Sequence, residues 1–213
     1  VRGVGVAMAM QGSSIAGVDV GGADIKLNED GSYTLALGCT DMGTGCDTVL
    51  AQMAADCLET PMENIVVFSV DTDISPYDSG SYASSTTYIT GQAVVKAATE
   101  LEKRIRTLAC RMLECEEEDL EFDGHVAKNI KNGQTVTIED IGFKAQCFND
   151  FPLQVTESHT SPVSPPPYMA GAVEIELDKE TGHVEILHYA AVVDCGTVVN
   201  PNLARVQVEG GLG

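Results

Sequence analysis

The stretch Ser84-Ser85-Thr86-Thr87-Tyr88-Ile89-Thr90-Gly91-Gln92-Ala93-Val94-Val95-Lys96-Ala97-Ala98-Thr99-Glu100-Leu101-Glu102-Lys103-Arg104-Ile105-Arg106-Thr107-Leu108-Ala109-Cys110-Arg111-Met112 carries the longest regular pattern in the chain. Ile89, Val94, Ala97, Ala98, Leu101, Ile105, Leu108 and Met112 recur at helical spacing and form one apolar stripe. The spacing predicts a helix from Ser84 to about Met112. An apolar stripe of that length needs a second layer to cover it.

The flanking segments supply strands for that layer. Ala23 to Leu27 and Ser32 to Gly38 flank Asn28-Glu29-Asp30-Gly31, and an Asp-Gly turn between two alternating runs reads as a β-hairpin. The loop Cys39-Thr40-Asp41-Met42-Gly43-Thr44-Gly45 opens a second helix, in which Val49, Leu50, Met53, Ala54, Cys57 and Leu58 are spaced by three and four until Pro61. Ile65 to Val70 reads as a buried strand, and the Asp/Ser/Gly/Tyr-rich loop Asp71 to Tyr82 leads back to the long helix. Before the hairpin lie an apolar opening (Val4, Val6, Met8) and a Gly/Ser/Asp-rich stretch from Gln11 to Gly22.

Downstream, the acidic run Glu114 to Asp119 reads as a solvated turn. Short strands follow at Leu120 to Phe122, Val126 to Lys128 and Thr135 to Thr137. Thr137 is placed as the N-cap of a short helix whose first turn holds Glu139 and Asp140, where the helix dipole favours acids. Ser158 to Pro167, with four prolines, is an extended connector without ladder donors. Ala172 to Leu177 alternates, Asp178-Lys179-Glu180-Thr181-Gly182 turns, and Val184 to Val193 returns as the clearest hairpin of the sequence. The fold class is therefore α+β, with mixed strands and hairpins packed on two principal amphipathic helices. Three successive segments are expected, 1–113, 114–157 and 158–213, without internal repeats.

Composition narrows the function. With 213 residues and 44% hydrophobic content, a packed core is within reach. Twelve Lys+Arg against 32 Asp+Glu give a net charge of −20, which repels phosphate backbones and anionic lipid and argues against nucleic acid as a partner. No apolar run approaches the roughly 18 residues of a membrane span, and no charged segment precedes Val4 to Met10. A cytoplasmic protein is expected. The seven cysteines (39, 46, 57, 110, 115, 147, 195) fall largely within apolar helical patterns and read as reduced thiols. Cys110 and Cys115, five residues apart at a helix end, are not expected to share a face or a bridge. Val1 is not a methionine and the chain stops inside Gln207-Val208-Glu209-Gly210-Gly211-Leu212-Gly213, so a fragment of a longer chain is expected.

Two loops could carry chemistry. Gly43-Thr44-Gly45 sits between a strand and a helix, where backbone N–H groups can cradle an anion, or where the glycines simply make a tight turn. Ser79-Gly80-Ser81-Tyr82-Ala83-Ser84-Ser85-Thr86-Thr87 feeds hydroxyls into the next helix start, either as a cap or as a site. Both alternatives stay open from the residues alone. The histidines at 125, 159, 183 and 188, and Cys110 with Cys115, lack metal-ligand spacing, and there is no Gly-x-Ser-x-Gly elbow.

Several motifs in order then carry a resemblance. Thr40-Asp41-Met42-Gly43-Thr44-Gly45 with Thr48 and Gln52, Asp71 to Pro76 through Ser79 to Thr87 with Gly91, and Ala172 to Asp178, Thr181-Gly182, Val193-Asp194-Cys195-Gly196, Asn200-Pro201 and Gln207 to Gly211 resemble segments of the xanthine dehydrogenase/aldehyde oxidase family of molybdenum hydroxylases. The resemblance implies a piece of the C-terminal half of the molybdopterin-binding subunit, of the prokaryotic purine, nicotinate or hydroxybenzoyl-CoA type, with a molybdenum-cofactor-binding-domain fold. The implied cofactor is molybdopterin with molybdenum, as the cytosine dinucleotide, with iron–sulfur clusters and FAD on other domains or subunits. The implied reaction is hydroxylation of a small aromatic heterocycle or an aldehyde with water-derived oxygen; the hydroxybenzoyl-CoA branch instead reduces its ring. The implied partners are the remaining segments of the subunit and the iron–sulfur and FAD subunits.

By position, Gly43, Thr44, Gly45, Ser84, Ser85, Thr86 and Gln207 would contact the cofactor, and Tyr82 and Ala83 would lie nearest the substrate. Two departures follow. Thr44 stands where the family's loop more usually has glutamine, and the family's catalytic glutamate belongs to a motif beyond Gly213, so no catalytic or metal residue is assigned and the chain alone is expected to be inactive. Two rival readings remain: a non-catalytic assembly module of such a complex, and an unrelated acidic domain that binds a small anion.

Overall fold

The computed structural model describes residues 1–148 and 153–212. In chain order its elements are β1 (Arg2–Met10), β2 (Gly21–Leu27), β3 (Tyr33–Leu37), α1 (Cys46–Cys57), β4 (Ile65–Phe68), α2 (Thr86–Leu113), β5 (Leu120–Phe122), β6 (Val126–Asn129), β7 (Thr135–Thr137), α3 (Ile138–Cys147), β8 (Gln154–His159), β9 (Tyr168–Leu177), β10 (Val184–Asp194) and α4 (Pro201–Leu212). The fold is α+β, as the periodicities require. Contacts divide it into one compact unit of Ser14–Val163 and another of Val1–Ser13 with Ser164–Gly213.

The larger unit is built on a four-stranded sheet in the order β4-β3-β2-β8. The β2–β3 hairpin is antiparallel, with Ile25 opposite Leu35, whereas β3 and β4 run parallel because α1 carries the chain back between them. Alternation decides which face is covered. Ala23, Ile25 and Leu27 on β2 and Tyr33, Leu35 and Leu37 on β3 are wholly buried, while Asp24, Lys26, Thr34 and Ala36 between them are only half-buried. Against the buried face lie Leu50, Ala54 and Leu58 of α1 and its C-cap, and Val94, Ala97, Ala98, Leu101, Ile105 and Leu108 of α2. Each fully buried Leu or Ile contributes about 2 kcal/mol by leaving water.

Two contacts set how closely the layers approach. A Cβ on Gly21 would lie 2.6 Å from the backbone N and Cα of Thr90, so the start of β2 rests directly on α2. A Cβ on Gly91 would meet the Met53 sulfur at 2.8 Å, which marks the α1–α2 crossing.

A smaller antiparallel sheet, β5-β6-β7, and α3 close the far end of this unit. Thr137 caps α3 as expected: its side chain accepts from the Asp140 N–H while the Asp140 carboxylate accepts from the Thr137 N–H. The acidic turn after α2 is a short 3₁₀ segment, Glu117–Asp119, and Asp119 pairs with Lys131.

The second unit is a three-stranded antiparallel sheet, β1-β9-β10, followed by α4. The expected hairpin is present and longer at both ends, with a bulge between Ile186 and His188. The opening strand β1 adds to its free edge, Val6 opposite Ala172 and Met10 opposite Tyr168.

Four expectations need correction. The long helix begins at Thr86 rather than Ser84, because Ala83 and Ser84 adopt left-handed φ of 54° and 55° that no helix can include. Strand β4 ends at Phe68, two residues early. Ser158 and His159 belong to β8, which pairs with β2 (Gly21 opposite His159), so the proline connector starts after them. Finally, Cys110 and Cys115 do lie together. Glu114 turns left-handed (φ 49°), and the Cys115 N–H then donates to the Cys110 carbonyl at 3.0 Å, folding the chain back over the helix end. All seven cysteines are free thiols in the structure.

The Gly21 contact is with backbone and the Gly91 contact with a flexible thioether, so equal substitutions have unequal effects. Gly21→Ala is expected to destabilise by about 1–3 kcal/mol, and Gly91→Ala by less, since Met53 can change rotamer. Urea midpoints at unchanged m-value will show the order; equal losses would mean that Thr90 moves as easily as Met53.

Candidate functional site

Both loops singled out in the sequence come to one end of the four-stranded sheet, where the parallel strands β3 and β4 finish. A Cβ on Gly38 would lie 2.4 Å from the Pro76 carbonyl oxygen and one on Gly22 2.3 Å from that of Tyr77, so the loop before α2 lies flat over these two glycines. Asp78 fastens it: one carboxylate oxygen accepts from the Gly22 N–H at 3.3 Å and the Thr90 hydroxyl at 2.7 Å, the other from the Gly80 N–H at 2.8 Å. Ser79 bonds Val20 through both its hydroxyl and its N–H. At the same end, Cys39 feels the charges of Asp78 and Asp47, and Asp47 of α1 bonds Ser69 beyond β4.

The Gly43-Thr44-Gly45 loop is built around Asp41. One oxygen of its carboxylate accepts from the N–H of Gly43 at 2.8 Å and of Gly45 at 3.1 Å, and the other from that of Asp47 at 3.3 Å. Gly43 (φ 101°) and Gly45 (φ 76°) supply the left-handed turns that aim these donors at one point. The anion in this nest is thus the protein's own carboxylate. The N–H groups that the sequence offers either to an external anion or to a tight turn are engaged by Asp41 through a short local turn. Outside the nest, Gly43 and Thr44 are exposed, with open space where a Gly43 Cβ would stand.

Burial works to raise the Asp41 carboxyl, but the combined N–H donations outweigh it and hold the group below its ordinary value. Asp47 is pushed up by burial and then by the charge of Asp41. Cys46, the first residue of α1, is drawn down by its hydrogen bond with the buried Cys39 thiol, which is itself pushed up. Asp41, Cys46 and Asp47 hold potential ligand atoms within 4.8 Å of one another, though both Asp41 oxygens are engaged by N–H groups.

The hydroxyl run is divided in its roles. Ser85, 2% exposed, donates to the Gly80 carbonyl at 3.2 Å, and Thr86 donates to the Ser81 hydroxyl at 2.8 Å. Ser85 stands at the N-cap position of α2 without a side-chain cap bond. These two residues therefore hold the turn in shape, while Ser84, Thr87 and Tyr82 are exposed around the strained pair Ala83–Ser84. Gln207 lies exposed on α4 of the other unit. Sequence reasoning missed Asp41 and Asp78 as organisers. The signal was present: an Asp two residues before a glycine is the pattern in which a carboxylate bonds the backbone ahead of it.

Asp41→Asn replaces one charged acceptor with a donor that faces other donors. A depressed carboxylate stabilises the fold above its unfolded pKa, and that contribution is lost as pH falls through the lower folded value. Asp41→Asn should lower the melting temperature at neutral pH, by about 1–3 kcal/mol in stability, and the gap from the parent should close below about pH 4. A gap independent of pH would show that the charge plays no part.

Comparison with known proteins agrees on one family. The sequence profile of the molybdopterin cofactor-binding domain matches residues 1–213. A probable hypoxanthine oxidase of Escherichia coli K12 is 36% identical over 209 residues, covering 98% of this chain and 22% of that protein. The gamma subunit of the 6-hydroxypseudooxynicotine dehydrogenase complex of Paenarthrobacter nicotinovorans is 32% identical over 214 residues, covering 98% and 27%. In structure, CO dehydrogenase from Oligotropha carboxidovorans superposes with a TM-score of 0.84 at 27% identity, covering 99% of this chain and 28% of that one. The chain thus spans about a quarter of the length of these relatives.

Proposed function

This chain belongs to the molybdopterin cofactor-binding domain family, and from that premise we propose that it forms one wall of the cofactor cleft of a molybdenum hydroxylase subunit. The relatives matched are molybdenum oxidoreductases of the xanthine and CO dehydrogenase kind. The observation that carries the reading is that the Gly43-Thr44-Gly45 loop and the loop leading into the Tyr82–Ser84 turn both lie at the end of the sheet where β3 and β4 finish. Ligands of α/β sheets bind outside the carboxyl ends of parallel strands.

The residues fit the cofactor in a specific way. Because Asp41 holds the loop's N–H groups, Gly43 and Gly45 contribute close approach, and Thr44 contributes a hydroxyl where a longer amide is usual. Ser84 stands exposed on the strained turn, and Ser85 and Thr86 hold that turn's shape from within. Tyr82 and Ala83 stand beside them, toward the substrate; Gln207, on α4 of the other unit, is a cofactor residue by the family resemblance alone. The bound molybdopterin, in its cytosine dinucleotide form, supplies the redox chemistry that hydroxylates a heteroaromatic ring or an aldehyde with oxygen from water. The general base comes from outside this chain. Electrons pass to iron–sulfur and FAD centres on partner domains or subunits.

The second unit supports the view that further segments of the subunit complete the structure. On β1, Val4, Val6, Met8 and Met10 project from one face and are 64–80% exposed, and Ile186 and Val192 on β10 are 64% and 74% exposed. Apolar rows of this extent are covered in a working protein. Among the described residues no helix is long and apolar enough to cross a membrane.

Molybdenum and pterin content separate this reading from a purely structural module. The chain purified alone should carry no molybdenum, and the complete subunit with its partners should carry it stoichiometrically. In that complex Thr44→Val should reduce molybdenum retention about fivefold, one hydrogen bond's worth, while the melting temperature falls only slightly, because the bond lost inside the protein is the exposed one from the Thr44 hydroxyl to the Cys46 thiol. Full retention with a lowered melting temperature would assign the loop a structural role only.

A further inference from the structure

The far end of α2, away from the candidate cofactor site, holds a feature that the proposed function does not use. Thr107, Cys110, Glu114, Cys115, Glu117 and Lys131 are among the residues lining a cleft of about 620 Å³ that is open to solvent. Helix α2 ends at Leu113, Glu114 takes the left-handed conformation, and the N–H groups of both Glu114 and Cys115 donate to the Cys110 carbonyl. This double closure brings the residue after the cap back over the last turn, as in a Schellman motif, whose flanking side chains touch. Here those side chains are two thiols, hydrogen-bonded to each other, both half-buried and both facing the cleft.

We propose that Cys110 and Cys115 form a thiol–disulfide exchange site, which takes small cationic disulfides from solution and closes reversibly into a bridge. The capped helix end already holds the two thiols in contact, so little backbone movement stands between dithiol and disulfide. Charge selects the reagent. Glu114, Glu116, Glu117 and Asp119 line the cleft against Arg111 and Lys131, and Lys131 is already paired with Asp119. An anionic disulfide is repelled at this mouth and a cationic one is concentrated there.

The exchange balances without any other reagent. The Cys115 thiolate attacks one sulfur of the small disulfide, the S–S bond breaks, and one half leaves as a thiol. Cys110 loses its proton to solvent and attacks the Cys115 sulfur, and the second half leaves as a thiol. Two protein thiols are oxidised by two electrons and one small disulfide is reduced to two thiols. Cys110 enters second because burial, then the neighbouring Cys115, push its thiol up to about 11. The ring closed spans only residues 110 to 115, so chain entropy adds little to the bridge and reducing agents reopen it readily.

Arg111 lies between the two cysteines, which makes the test direct. The complete subunit is treated at low ionic strength with cystamine or with oxidised glutathione at equal concentration, alkylated, digested with trypsin and analysed by mass spectrometry. Peptides 107–111 and 112–128 should appear joined by a disulfide and separate on reduction. Joining should be at least threefold faster with cystamine, and the difference should vanish in 0.5 M salt. Glu114→Gly, which keeps the left-handed cap, should still form the bridge, and Cys110→Ser should leave Cys115 as a mixed disulfide with cysteamine. The proposal is overturned if the two peptides stay separate while other cysteines are modified, or if oxidised glutathione reacts as fast at low salt.

Discussion

The seating of α2 on the four-stranded sheet is the constraint on which the larger unit depends. Val94, Ala97, Ala98, Leu101, Ile105 and Ala109 are fully excluded from solvent there, facing Ala23, Ile25, Leu27, Tyr33, Leu35 and Leu37 from the hairpin. The helix face is rich in alanine at its middle, so the helix backbone comes close to the sheet, and Gly21 brings the strand against Thr90 at the same end. A well-packed interior tolerates no gap at such a contact. Once α2 is seated, α1 can lie beside it only where Gly91 admits Met53, and β4 must join β3 in parallel.

That seating also determines what the loops at the strand ends can do. The segment before α2 has to cross Gly22 and Gly38 to reach the helix start, and Asp78 ties it to both β2 and α2. The segment before α1 is turned by two left-handed glycines around Asp41. Each loop is thus shaped by a carboxylate that bonds backbone N–H groups. In a chain with a net charge of −20, two of the carboxylates near the candidate site, Asp41 and Asp78, are thus engaged in loop architecture.

Local chemistry was read from the residues with good accuracy where one element suffices. The Asn28–Gly31 turn, the stripe of α2, the Thr137 cap and the Asp178–Gly182 hairpin each follow from interactions within a few residues. The loops around Gly43 and Ser84 were also legible as candidates. Their internal wiring was not, since the competition between Asp41 and an outside anion for the same N–H groups is settled by geometry. The hydroxyls of Ser85 and Thr86 likewise turned inward to Gly80 and Ser81. The meeting of Cys110 and Cys115 is not legible from helical spacing, because Cys115 lies two residues beyond the helix, past a left-handed Glu114.

By itself, then, the sequence determined the α+β class, the places of both principal helices, the hairpins and the ordered motifs that mark the molybdopterin cofactor-binding family, because periodicity, caps and turns are encoded within short windows. Tertiary structure alone decided that β1 pairs with β9, Val6 beside Ala172, and that β8 completes the sheet beside β2. It alone decided that two loops come to one sheet end and that two thiols meet at the C-terminal end of α2. These outcomes depend on partners far apart in the chain, and strand pairing selects its partner by the edge and apolar surface left open when the rest has packed.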